Sequence, residues 1–395
     1  MWAATAAWWC AVLVAHLAPG SSTVAWPVSP GLAHALSMTF GFTPMFFTGF
    51  LFTAGPKWLL QPHQPARALL PTVVGALAGW ALFFAGVQSS IALAAGGLAL
   101  VAVGWSLFTL RFARLVRGSR AADRTHARWV CVACGVGVVA LWLAVAGLAA
   151  QREDVARAAV QLGLWGFVAL VFATVAHRMI PFFNDGGLPR LDARRPTWLL
   201  WVFALTLAGQ AAFAIGEALA GPLPPAARGL QAALDAPVAA LLAWLALRWW
   251  VVPARRQPLR QPLPLLLYVG FAWFAVALAL SAAVHAMSAI DGSAFAPTLA
   301  PLHATTMGFL GSTLLAMASR VTCGHSGRTR VVDGWLWTLF WLLQGAVLMR
   351  LFAAWRPAAP FTLALAALAW TAAAAGWSLR YGRWLGLPRV DGGSR

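Results

Sequence analysis

Apolar residues along this chain fall into twelve windows, each about as long as a bilayer is thick, and that recurrence decides what the chain can fold into. A membrane-spanning helix needs about 20 mostly apolar residues. Such windows run over 2–18, 32–55, 69–88, 91–110, 129–150, 158–180, 197–219, 232–251, 265–289, 301–322, 334–355 and 361–379. The connections hold the charges and most of the Pro/Gly pairs, and none has room for a soluble domain. Only 10% of residues are charged and 61% are hydrophobic. A soluble domain carries about 25% charged residues, so that class is excluded. Disorder, which needs low hydrophobicity, is excluded as well. The expected fold is all-α: one polytopic membrane domain over 1–395 with about twelve transmembrane helices. The first window has no basic residue ahead of its apolar run, which argues for a retained helix over a signal peptide.

A net charge of +18 would suit a nucleic-acid partner until the basic residues are placed. With the N-terminus in the cytoplasm, the cytoplasmic connections and the C-terminus hold 23 of the 28 lysines and arginines. Among them are Lys57, the run Arg111 to Arg128, Arg178 to Arg195, Arg248 to Arg260, Arg320 to Arg330, and Arg380 to Arg395. The other face holds 5: Arg152, Arg157, Arg228, Arg350 and Arg356. This is the positive-inside pattern, with both termini cytoplasmic and an even number of crossings. The basic excess is a topology signal, and no nucleic-acid partner is expected. The four cysteines imply no disulfide framework. Cys131 and Cys134 form a C-x-x-C followed by Gly135 where a covalent haem site needs His, and packing is the expected role.

Ionisable groups inside spans are costly and mark candidate sites. His16, His34, His285 and His303 fall at one depth, near the outer ends of spans 1, 2, 9 and 10. His177 sits near the inner end of span 6, and His325 follows the inner end of span 10. His63 and His126 fall in inner connections and read as solvated residues. Span 2 opens His34-Ala35-Leu36-Ser37-Met38-Thr39-Phe40, and span 10 opens His303-Ala304-Thr305-Thr306-Met307-Gly308-Phe309. Two histidines at one level on facing helices are the arrangement for bis-histidine haem ligation, with each second ring nitrogen held by a hydrogen bond. Gly308 and Gly311 either admit a flat macrocycle or serve helix packing alone. His285 with Met287 would suit copper, although two residues apart on a helix they do not share a face. Arg178 beside His177 and Arg320 near His325 are placed to hold an anionic group such as a haem propionate, or else the arginines anchor the inner face while the Pro and Gly of these strings end the helices. Glu217 and Asp235 read as interfacial acids at outer span ends, or as proton relays.

Three stretches carry a family resemblance. They are the His34 helix through Gly49-Phe50-Leu51-Phe52-Thr53-Ala54 to Trp58, the string His177 to Phe183, and His303-Ala304 through Arg320-Val321-Thr322-Cys323-Gly324-His325-Ser326-Gly327-Arg328. Together they resemble the NnrS family of haem- and copper-containing bacterial membrane proteins. The last is similar to that family's H-A…G…R-V-x-x-G-H-[S/T]-G-R signature. The resemblance implies an inner-membrane location, haem b, copper, and a role in nitric-oxide tolerance or metabolism, often alongside denitrification. Ala35 stands where the family often has a polar residue, and His177 where many members have Gly. The architecture is also similar to the catalytic subunit of haem–copper oxidases, but span 7 has no histidine for the oxidase copper site.

The resulting expectation is a haem protein with His34 and His303 as iron ligands and His285 and His16 as second-site metal ligands. Arg178, Arg320, His177 and His325 are expected to form an inner-side polar cluster. Nitric oxide is the expected small-molecule ligand, reached through the lipid bilayer, and an electron-transfer partner is left unnamed. The alternative is a secondary transporter or assembly factor without haem, with Pro44 and Pro181 as helix breakers.

Overall fold

The computed structural model describes residues 1–17, 26–184, 196–254, 262–291, 299–328, 332–356 and 359–392. Each of the twelve apolar windows coincides with a helix, and no strand occurs among the described residues. The helices are α1 (Trp2–Leu17), α2 (Pro30–Trp58), α3 (Leu70–Ser89), α4 (Ile91–Arg117), α5 (Thr125–Ala149), α6 (153–184), α7 (Trp198–Ala220), α8 (Pro225–Ala254), α9 (Pro262–Asp291), α10 (299–325), α11 (Gly334–Trp355) and α12 (Pro360–Tyr381). Ten of them are long and apolar enough to cross a membrane. α1 has 16 residues, and α10 has the length but spends it on polar residues such as Ser312, Thr313, Ser319 and Arg320. Of the arginines in the topology count, Arg190, Arg194, Arg195, Arg255, Arg256, Arg260, Arg330 and Arg395 lie outside the described residues.

Helices overrun the apolar windows where their ends are favourable. α4 continues to Arg117 and places Arg114 and Arg117 in its last turn, where cations oppose the helix dipole and the aliphatic stems remain useful. α5 starts early because the Asp123 carboxylate accepts from the Thr125 amide at 2.9 Å. This corrects the expectation for His126, which lies buried in the first turn of α5 and not in a solvated connection. Pro181 does not end α6, which runs on to Asn184.

Asp333 caps α11, accepting from the Leu336 amide at 3.0 Å and pairing with Arg380. Burial pushes its pKa up, but the hydrogen bonds from Arg380 and Leu336 outweigh that and hold it below the usual carboxylate value. A carboxylate depressed in the folded state stabilises the fold above its unfolded pKa and loses that contribution as pH falls through its folded value. Asp333→Asn keeps a capping oxygen and removes the charge. It should lower stability by about 1 kcal/mol or less near neutral pH, as expected for a half-exposed pair. Thermal midpoints should converge below the ordinary carboxylate range, and a pH-independent gap would reject the ion pair as its source.

Three helices contain a π turn: Ser37–Phe42 in α2, Leu164–Ala169 in α6 and Ala304–Gly311 in α10. They are the second, sixth and tenth helices. The three turns share a register. A fully buried phenylalanine lies two residues before each turn ends: Phe40, Phe167 and Phe309. Eight residues before each end stand His34, Gln161 and His303. In α2 the local cause is visible. Pro44 has no amide hydrogen for the Phe40 carbonyl, and Thr43 reaches five residues back, donating from Oγ1 to the Met38 carbonyl at 3.4 Å.

The chain divides into two compact units. The first holds α2 to α5, α6 as far as Val175, and α7; the second holds α1, α6 from Ala176, and α8 to α12. The core of the first is aromatic. Trp105 stacks on Phe108 at 4.6 Å and meets Phe167 at 4.9 Å, while its indole N–H donates to the Cys134 carbonyl. All four cysteines are free thiols, and Cys134 is fully buried, as the packing reading expects. In the second unit Phe274 stacks on Phe309 at 4.7 Å, and Trp2 of α1 packs against Trp370 and Trp377 of α12.

Candidate functional site

His303 ends the first turn of α10, immediately before the π turn. Its Nδ1 lies 2.8 Å from the Leu299 carbonyl oxygen. A carbonyl only accepts, so Nδ1 carries a hydrogen. The ring is half-buried. His16 is held the same way, with Nδ1 2.7 Å from the Val12 carbonyl, but it is exposed on α1. His34 is half-buried in α2, three residues ahead of its π turn, and its carbonyl accepts from the Ser37 hydroxyl at 3.1 Å. His34 belongs to the first unit, and His16, His285 and His303 to the second.

Gly308 and Gly311 do not leave space for a macrocycle. A Cβ at Gly308 would lie 2.7 Å from the Trp273 ring, and one at Gly311 would lie 2.7 Å from the Trp370 ring. Between the two readings of these glycines, the structure selects packing.

His285 is buried and its Nδ1 donates to the Ser281 carbonyl at 2.8 Å. Met287 points elsewhere and is about half exposed. Among the described residues no three His, Cys, Asp or Glu side chains form a group that could hold a metal ion. Haem needs only one or two imidazoles, and His303, with its Nδ1 against the Leu299 carbonyl, is one oriented imidazole.

The four inner-side residues, His177, Arg178, Arg320 and His325, all fall in the second unit. His177 is fully buried, and its Nε2 donates to the Pro196 carbonyl at 3.3 Å. Arg178 and Arg320 are half-buried, and His325 is exposed at the end of α10. The signature around His325 is a helix stop. Gly327 adopts φ +70°, and the Arg328 amide donates back to the Cys323 carbonyl at 3.0 Å, closing a Schellman motif. The C-terminal tail then seals it. Val390 donates its amide to the Ser326 carbonyl at 3.1 Å, and Arg328 lies over the Trp384 ring at 4.4 Å. A side chain on Gly327 would meet the Asp391 carboxylate at 2.5 Å. Ser326, Gly327 and Arg328 thus have structural duties sufficient to account for their pattern.

Sequence reasoning passed over Gln161, whose side-chain carbonyl accepts from the Trp165 indole at 3.0 Å one turn later. The signal was a polar residue at the same distance from a Phe as His34 and His303. It also placed Asp235 at an interface, whereas Asp235 is 3% exposed. α8 starts at Pro225, seven residues ahead of the apolar window, so this carboxylate lies well inside the helix.

Ten membrane-length helices, an all-helical build and intramembrane histidines define a polytopic membrane protein. The chain belongs to the NnrS family: the family described as NnrS protein matches residues 1–389, nearly its whole length. No curated protein matches it.

Proposed function

We propose that this chain is a haem-binding protein of the bacterial inner membrane, crossing it twelve times with both termini cytoplasmic, that supports tolerance to nitric oxide. The observation that carries the proposal is the His303 ring. Its Nδ1 hydrogen is committed to Leu299, which fixes the ring's orientation. His34 occupies the corresponding place before the π turn of α2. Membership of the NnrS family supports the nitric-oxide role.

His303 and His34 would hold haem b, which supplies an iron able to bind nitric oxide. The Leu299 carbonyl orients the His303 imidazole. Burial of Phe40 and Phe309 one to two turns further on excludes water from the helix interior. Nitric oxide is small and apolar, so it reaches such a site through the lipid without a polar channel.

The test is a purification of the full chain in detergent, with absorbance spectrum and iron content. The expected result is a haem band that His303→Ala or His34→Ala diminishes by about tenfold or more, the scale on which metal sites respond to losses in their ligand shell. Folded protein without haem or iron would reject the reading in favour of the transporter or assembly factor. Unchanged haem in both variants would reject these ligands.

A further inference from the structure

The segment after α12 returns to the end of α10 and gathers Arg328, Arg380, Arg383 and Arg389 there, within the second unit. A tight turn over Gly382–Trp384 follows α12. The tail beyond it reaches the Ser326 carbonyl through the Val390 amide, and the Gly324 carbonyl through Arg389 Nη1 at 3.4 Å. Arg328 Cζ lies 4.4 Å from the centre of the Trp384 ring, and Arg380 Cζ lies 5.7 Å from it. Two guanidinium groups thus share one indole. Arg383 stands next to Trp384 in the turn and is exposed.

The acids of this cluster are already committed. Asp333 pairs with Arg380, and Asp391 pairs with Arg389 at 2.5 Å. Among the described residues, Arg328 and Arg383 have no carboxylate partner. Arg328 Nη1 is moreover buried without a hydrogen-bond acceptor. A charged N–H shut off from water is costly until an acceptor reaches it. Stacking on Trp384 occupies only the face of this guanidinium. Its donors lie at the edge, the part with which arginine grips a phosphate.

The depth suits a lipid headgroup. The stretch Pro360–Trp384 is long and apolar enough to cross a bilayer, so Trp384 falls at its end. Tyr381 and Trp384 meet edge to face at 4.9 Å, and both residue types gather at membrane interfaces. Just beyond, Leu385, Leu387 and Val390 are each half exposed or more. A free anion makes no use of that apolar surface, whereas a lipid joins a phosphate to apolar chains.

We propose that Arg328 and Arg383, arranged around Trp384, bind a phosphate group, and that an anionic lipid supplies it. The phosphate oxygens accept from the two guanidinium edges, and the apolar part of the lipid meets Leu385, Leu387 and Val390. Basic pockets at helix ends hold anionic headgroups in this way. Arg380 stays with Asp333 and Arg389 with Asp391, so neither is needed as a ligand. The site is independent of haem.

The test uses the full chain purified in detergent. Native mass spectra are recorded with added dioleoyl-phosphatidylglycerol, dioleoyl-phosphatidylcholine or inorganic phosphate. The expected result is saturable binding of phosphatidylglycerol, stronger than that of phosphatidylcholine, which carries a phosphate but no net charge. Arg328→Gln and Arg383→Gln should each weaken it by about tenfold or more, the scale of a lost charge-assisted hydrogen bond. Arg356→Gln removes the same charge at the opposite end of α11 and should bind as the wild type does. Inorganic phosphate bound by the wild type and lost in both variants, with no preference for phosphatidylglycerol, would support the arginine site and reject the lipid as its source. Equal binding of phosphatidylglycerol by the wild type, Arg383→Gln and Arg356→Gln would overturn the proposal. Arg383 is exposed, so that comparison can be read even if Arg328→Gln fails to fold.

Discussion

Replacing Gly97 by valine should abolish recovery of folded protein. The α3–α4 hairpin of the first unit is held at backbone contact by three glycines. A Cβ at Gly97 would lie 2.5 Å from the Phe83 amide nitrogen and 2.6 Å from the Gly79 carbonyl oxygen, and one at Gly79 would lie 2.7 Å from the Gly97 carbonyl oxygen. At Gly86 a Cβ would approach Ala94 Cα at 2.6 Å. Those neighbours are main chain and cannot rotate away, so the helices must separate. Small residues of this kind let membrane helices associate through packing alone, where the hydrophobic effect supplies no drive. Overpacking a yielding core costs about 1–3 kcal/mol, and the penalty here should exceed that range. The neighbouring Gly96 supplies the control. It is exposed, and a Cβ there meets nothing within 4 Å. Gly96→Ala should be neutral or stabilising by up to about 1 kcal/mol, from helix propensity. Monodispersity after detergent extraction and the thermal midpoint read both variants. A Gly97→Val protein as stable as Gly96→Ala would refute the backbone-contact argument.

A second large effect is expected at Gln344. This buried side chain on α11 ties three helices together. Its Oε1 accepts from the Trp273 indole of α9 at 2.7 Å, and its Nε2 donates to the Ser312 hydroxyl of α10 at 2.9 Å. Gln344→Leu keeps the approximate volume and strands both partners without water. Each unsatisfied buried group costs about 1–3 kcal/mol. The variant should lose several degrees of thermal midpoint, and Gln344→Glu, which can still accept from Trp273, should lose less. Equal losses in the two would show that shape and not hydrogen bonding governs the position.

How far the chain could be read in advance depended on the kind of signal. Hydropathy placed every helix, because a bilayer-length apolar run has few other folds open to it. It misplaced ends by several residues, and those errors mattered: the early starts of α5 and α8 are what bury His126 and Asp235. The matched H-A-x-[S/T]-M-x-F segments lie in α2 and α10, and both histidines precede a π turn there. The sequence held no comparable cue for Gly308, since a glycine beside a cofactor and a glycine beside Trp273 look alike until the ring is placed. The Gly327 string read either as a polar cluster or as a helix stop, and the αL backbone of Gly327 with its seal by the C-terminal tail establishes the stop.

The three π turns carry a consequence for how such chains change over time. A π turn amounts to one residue added to an α-helix, and each residue in a regular helix turns the chain by about 100°. α2, α6 and α10 can therefore lose a single residue near Phe40, Phe167 or Phe309 and remain continuous helices, with the residues beyond the deletion keeping their faces. In the straight helices a one-residue deletion has no slack to absorb it. Single-residue gaps in related chains should gather at these three places, and a chain with such a gap would present the same face of the helix beyond it.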